Sequence, residues 1–329
     1  MNMHPYTSVA VDHLMKLVNI PSPTGFTHIA AEYLLDVLRG YGFTPYKTHK
    51  GNVVCVIGGE GHPLVVAAHV DTLGAMVRSI KPNGRLRFTA IGGYPANNVE
   101  NETCVVHTRD GRTYTGTFYL TTPASHVYKG IPDIKRDDTT IEVVLDENVS
   151  TKEDVRALGI EVGDFISLDP RAFNTPSGYI KSRHLDDKAS ASVLLALAKM
   201  VSAGDLTLSR KIYLVFTVHE EVGHGCAAGL PEDAEDILSV DMGCVGDDLG
   251  CDETMVSICP KDSRGPYNYE MTGKLIELAR ENNLKYAVDI YPMYGSDADA
   301  SLAAGHNFRH ALIGPGVFAS PGYERTHVS

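Results

Sequence analysis

Two adjacent carboxylates, Glu220 and Glu221, follow the apolar run 211–218 within His219-Glu220-Glu221-Val222-Gly223-His224-Gly225. This is a pairing that a metal-assisted hydrolase can use, with one carboxylate binding a cation while its neighbour moves a proton. The helical His-Glu-x-x-His arrangement is absent. Gly223 stands where its second histidine belongs, and His224 falls one residue late in a glycine-bearing loop that a helix disfavours. Further ligands must therefore come from distant parts of the chain.

Several positions qualify. His69 and Asp71, two residues apart, share one side of an extended segment. A metal-binding imidazole whose other nitrogen meets a carboxylate suits that spacing, as does a solvated strand end. Asp186-Asp187 precedes a helical pattern; an aspartate has two oxygens and can bridge two cations, while helix capping is the plainer account. Asp241 ends an apolar strand and reads either as a terminal ligand or as a turn residue. His327 sits in a polar segment where a histidine is ordinarily solvated. Asp297, ahead of a short helix, fits a substrate-pocket position or an amino-terminal cap.

The elements that position these residues follow from periodicity. Apolar spacing of three and four predicts helices over 7–19, 26–40, 187–202, 267–282 and 297–304. Short β-branched runs predict strands at 52–57, 64–69, 211–218, 236–241, 286–290 and 308–313. Pro63-Leu64-Val65-Val66-Ala67-Ala68 is continuously apolar, as in a central strand covered on both faces. From about residue 74 the pattern changes to alternation and turns, with Pro82-Asn83-Gly84 as a hairpin signal and further strands at 104–107, 113–121, 140–145 and 164–168. An α/β domain built from 1–73 and 178–329, with a mixed central sheet flanked by helices and an all-β insert over 74–177, is the architecture expected.

A chain of 329 residues accommodates such a core with a second module, and 43% hydrophobic with 21% charged residues is ordinary for a folded protein. A net charge of −12 without a basic block argues against nucleic acid and anionic membranes as partners. The six cysteines form no Cys-x-x-Cys and suggest reduced thiols. With no signal-peptide layout at the amino terminus and no apolar run near ~20 residues, a cytoplasmic location is expected.

Taken together, His69-x-Asp71, Asp186-Asp187, Glu220-Glu221, Asp241 and His327 resemble the M42 family of dinuclear metallo-aminopeptidases, of the clan that includes the M28, M20 and M18 peptidases. The likeness spans nearly the whole chain, because the β insert falls directly after His69-Val70-Asp71, where M42 enzymes carry a dimerisation domain. It implies that His69 and Asp241 complete one metal site and Glu221 with His327 the other, with Asp186 bridging. Glu220 is then the general base acting on a bridging hydroxide between two divalent cations (zinc, cobalt or manganese), and Asp71 orients His69. The implied activity is hydrolysis of the amino-terminal residue of short peptides, and the implied assembly is of dimers building a dodecamer. Alternatives are an M20-like metallo-deacylase or carboxypeptidase, and a catalytically silent assembly subunit.

Overall fold

The strand Leu64–His69 lies at the middle of a twelve-stranded mixed sheet, flanked on either side by the parallel strands Ile212–Thr217 and Asp236–Val240. The computed structural model describes residues 4–329. Outward from this centre, Val53–Gly58 pairs antiparallel with Ile212–Thr217, and Arg309–Phe318 pairs parallel with Asp236–Val240. The continuous apolar character of these strands has its cause in two-sided burial. Alternate residues Leu214 and Phe216 join Leu17, Leu34, Leu38 and Leu195 of the helices on one face, while Tyr213 and Val215 join Ile237, Tyr291 and Leu312 on the other.

The helices Thr7–Val18, His28–Gly40 and Leu185–Ser202 supply the first face. Tyr269–Glu281, capped by the Asn268 side chain on Met271 N, stands close to the predicted 267–282, and Asp297–Ala303 to 297–304.

The chain forms two compact units: the described part of Met1–Asp71 with Arg171–Ser329, and Thr72–Pro170. The second is a closed six-stranded barrel, ordered Gly74–Ile80, Leu86–Ile91, Ile141–Leu145, Thr113–Leu120, Thr103–His107 and Phe165–Leu168. Its core includes Phe88 and Phe118, edge to face at 4.9 Å, a geometry worth roughly 1 kcal/mol beyond the area buried. The first hairpin turns through Lys81-Pro82-Asn83-Gly84, where Gly84 takes φ +77° and its N–H donates to Lys81 O.

Residues 171–177, placed with the insert on sequence, lie in the first unit. Phe173–Asn174 pairs with Tyr179–Ser182, which is itself laddered to Glu324–His327, so this hairpin extends the large sheet. Among the described residues no helix is long and apolar enough to cross a membrane.

Candidate metal centre

Register brings the separated segments to one edge. Thr217 lies opposite His69, and Ser239 opposite Ala67, so Asp241 emerges at the level of His69 and Glu220-Glu221 just beyond it. Asp186 and Asp187 have non-helical backbone at the head of Leu185–Ser202, and the peptide bond between them is cis.

Two sets of donor atoms result. His69, Asp187 and Asp241 form one, all buried; His69, Asp186 and Glu221 form the other, and within each set the donor atoms lie within 4.8 Å of one another. His69 Nε2 is 3.0 Å from Asp186 Oδ1 and 3.7 Å from Glu220 Oε2, while its Nδ1 donates to the main-chain oxygen of Asp71 at 2.9 Å. That second bond fixes the ring and leaves Nε2 facing the carboxylates.

The Asp71 carboxylate does something the sequence does not announce. Its Oδ1 accepts from Glu220 N at 3.1 Å, and its Oδ2 accepts from Glu221 N at 3.3 Å and from Thr24 Oγ1 at 2.6 Å. It therefore clamps the acidic pair by its main chain, and the His69 contact is a longer 3.6 Å. Burial opposes its ionisation, yet the His69, Thr24 and Glu220 N–H partners hold the Asp71 carboxyl below its ordinary value.

The electrostatics suit a cation. Burial first, then neighbouring carboxylates, push Asp187, Glu220 and Glu221 well above the usual range; burial and the Asp186 charge raise Asp241 to about 7 and Glu324 to about 8. His69 is raised well above its ordinary value, because Asp186, Asp71, Glu220 and Asp241 outweigh the effect of burial on the imidazolium. Asp187 Oδ1 is buried without a hydrogen-bond partner, although its other oxygen accepts from His69 N at 3.3 Å. A buried acceptor with no donor, set among repelling carboxylates and one imidazole, fits a divalent cation.

A pH dependence follows. Carboxyls with raised native pKa keep protons in the folded state that the unfolded chain has released. Stability of the cation-free protein is thus full below about pH 4 and falls as pH rises through about 7 to 8, each such group contributing up to about 1.4 kcal/mol per pH unit. Thermal melts of chelated protein between about pH 5 and about pH 9 should decline with pH, and a divalent cation should reverse the decline. A flat profile would contradict this account.

Two expected residues lie elsewhere. His327 accompanies neither donor set: its Nε2 is 3.0 Å from Ser177 O and its Nδ1 2.7 Å from Ser329 Oγ, and it borders an apolar groove with Leu14 and Ile180. The cause is strand alternation. In Glu324–His327 the burial alternates, and Glu324 with Thr326 faces inward while Arg325 and His327 face the other way. Glu324, which the sequence reading passed over, is buried and accepts from Asp186 N at 3.1 Å; the period of two within this strand was the available signal. Substituting His327→Ala should change kcat/KM by less than about threefold and leave metal content unaltered, checked by elemental analysis beside kinetics.

Asp297 also does not line the cavity. It is 1% exposed and accepts from Thr217 Oγ1 and, at 2.8 Å, from Cys226 N, bracing the sheet end from below. Gly225 is required there, since a Cβ would stand 2.0 Å from Asp297 Oδ1. The helix cap is Ser296, in a capping box with Asp299.

Beside the donor sets opens a cavity of about 450 Å³ walled by Glu220, Glu221, Val222, Gly223, Arg264 and Ser296, among others.

A family model described as M42 glutamyl aminopeptidase matches residues 51–329. The Bacillus subtilis (strain 168) protein YhfE, named a candidate aminopeptidase, is 43% identical over 318 residues, covering 96% of this chain and 92% of its own. Among solved structures, aminopeptidase APDkam598 from the archaeon Desulfurococcus kamchatkensis has a TM-score of 0.86 at 22% identity, covering 98% of this chain and 91% of its own. The Pyrococcus horikoshii TET1 peptidase, described as able to assemble into a tetrahedron or a large octahedral shell, has a TM-score of 0.84 at 20% identity over 97% and 94%. At these identities the two structures are alike in fold.

Proposed function

Because the chain belongs to the M42 glutamyl aminopeptidase family, whose peptidases are metal-dependent, we propose that it hydrolyses the first peptide bond of short peptides, with Glu220 as the general base. The observation that carries this reading is the meeting of His69, Asp186, Asp187, Glu221 and Asp241 at one sheet edge, with Glu220 beside them in a cavity wall.

Divalent cations would find ligands in two overlapping donor sets, His69 with Asp187 and Asp241, and His69 with Asp186 and Glu221. Asp186 Oδ1, in the second set, lies 3.0 Å from His69 Nε2. Asp187 thereby joins the ligands, in place of the His327 that kinship suggested. Among the described residues the donor sets share one imidazole, and zinc, cobalt or manganese would be in keeping with such a mixed nitrogen and oxygen set. When bound, such cations polarise the scissile carbonyl and acidify water.

The protein's own groups supply the rest. Glu220, whose carboxyl burial drives well above its ordinary value, takes a proton from the attacking water and returns it to the departing amine nitrogen. A carbon–oxygen bond forms, the carbon–nitrogen bond breaks, and one water is consumed. Asp71 keeps Glu220 and Glu221 in fixed relation through their main-chain N–H groups. Hydrolysis of aminoacyl p-nitroanilides by cation-loaded protein, abolished when the substrate amine is acetylated, is the expected result. Release of acetate from the acetylated substrate, with its anilide bond left intact, would favour the deacylase alternative.

We further infer that the chain self-associates, with the barrel Thr72–Pro170 making dimer contacts. Supporting this are the exposed Val127 and Val162 on that unit and the assembly described for the P. horikoshii TET1 peptidase.

A further inference from the structure

The Asp71 carboxylate that clamps Glu220 and Glu221 has a third donor, and it is the tightest of its partners. Thr24 Oγ1 donates to Asp71 Oδ2 at 2.6 Å, against 3.1 and 3.3 Å for the amides of Glu220 and Glu221 and 3.6 Å for His69 Nδ1. A hydroxyl this close to a carboxylate forms a charge-assisted bond, roughly twice as strong as a neutral one. The terminal torsion of an aspartate is broad and nearly two-fold, so its partners decide how the carboxylate stands. Two long amide bonds leave that choice loose, and the hydroxyl selects one orientation.

Thr24 is itself built in place. It stands in a tight turn closed by Phe26 N–H donating to Pro23 O at 2.7 Å, with Gly25 at φ +94°. Pro21 and Pro23 fix the backbone on either side of Ser22. Every second residue of this run is tied inward: Ile20 O accepts from the Lys188 ammonium at 2.7 Å, Ser22 Oγ donates to Val70 O at 2.7 Å, and Thr24 reaches Asp71. Ser22, Thr24 and Lys188 are all buried. A buried ammonium is costly unless hydrogen-bonded, so the bond to Ile20 O anchors the run to the helix Leu185–Ser202, whose head carries Asp186 and Asp187. The other two ties converge on Val70 and Asp71, which follow His69 directly.

We propose that Thr24 is a positioning residue for the reaction: its hydroxyl fixes the Asp71 carboxylate and, through the two amides that carboxylate holds, sets where the Glu220 carboxyl meets the attacking water. The proposal rests on the aminopeptidase reading above. A misplacement of about 1 Å can slow a reaction by about 100-fold, and here it would fall on the proton transfer, hence on kcat.

The test uses full-length, cation-loaded protein and whichever of the leucine, lysine and glutamate p-nitroanilides the wild type hydrolyses fastest. Thr24→Val keeps the shape and removes the hydroxyl; it should lower kcat by about 10- to 50-fold, with KM within about twofold and metal content unchanged. Thr24→Ser returns the hydroxyl and should recover at least about half of the wild-type kcat. Thr24→Ala serves the same purpose if the valine variant does not fold. Hydrogen exchange read by mass spectrometry is the second measure. It should quicken in the peptide spanning Glu220 and Glu221 in Thr24→Val and not in Thr24→Ser, while Ile212–Thr217 keeps its protection. A kcat within about threefold of wild type in Thr24→Val, a loss confined to KM, or unaltered exchange at the acidic pair overturns the proposal. Absence of hydrolysis by the wild type on all three substrates overturns the aminopeptidase reading instead, and exchange at Glu220 and Glu221 then still decides whether Thr24 holds them.

Discussion

Glu220→Gln should reduce kcat on an aminoacyl p-nitroanilide by about 10³-fold while KM and bound metal change little. The amide keeps the shape and the main-chain bond to Asp71 Oδ1, and removes only the capacity to take a proton. The cost is borne by the step in which water loses its proton and the leaving nitrogen gains one, so both stages depend on the same oxygen. Elemental analysis separates this outcome from loss of a ligand. If the variant loses metal along with activity, Glu220 is a ligand and its role as base is wrong; if it retains more than about a tenth of wild-type kcat, some other group is the base.

The second large effect should come from His69→Ala. The imidazole belongs to both donor sets, and its Nδ1 bond to the Asp71 carbonyl ties it to the clamp on Glu220 and Glu221. Its removal leaves carboxylates that repel one another, and activity should fall by at least about 10³-fold. A readout independent of turnover is available. Divalent cation at a hundred times its dissociation constant should stabilise wild-type protein by about 2.7 kcal/mol, seen as a rise in Tm, and should stabilise the variant much less. Chelation of the wild type should abolish hydrolysis and re-addition restore it. Activity that survives exhaustive chelation would exclude metal dependence.

Much of this was legible in the sequence because burial on two faces leaves a clear trace. Leu64–His69 and Ile212–Thr217 read as central strands from unbroken apolar runs, and the polar residues that terminate them, His69 and Glu220-Glu221, became the candidates for chemistry. What escaped was decided by neighbours and not by the run itself. The strand Val256–Lys261 contains Pro260, which cannot donate to a ladder, and the register with Tyr286–Ile290 shifts between Ile258 and Lys261. Residues 173–174 form a strand only because Tyr179–Ser182 is available beside them. Asp187 looked like a capping residue beside a bridging one; the backbone at Asp186 and Asp187 departs from the helix and turns its carboxylate to His69 and Asp241. His327 was chosen by kinship alone, and the alternation that faces Glu324 inward is a property of the strand it occupies.

The single carboxylate of Asp71, tied to Thr24 on one side and to two consecutive amides on the other, makes Glu220 and Glu221 a rigid pair. Drift of the outer loop from Val222 onward can then reshape the cavity wall without altering the spacing of those two main-chain groups.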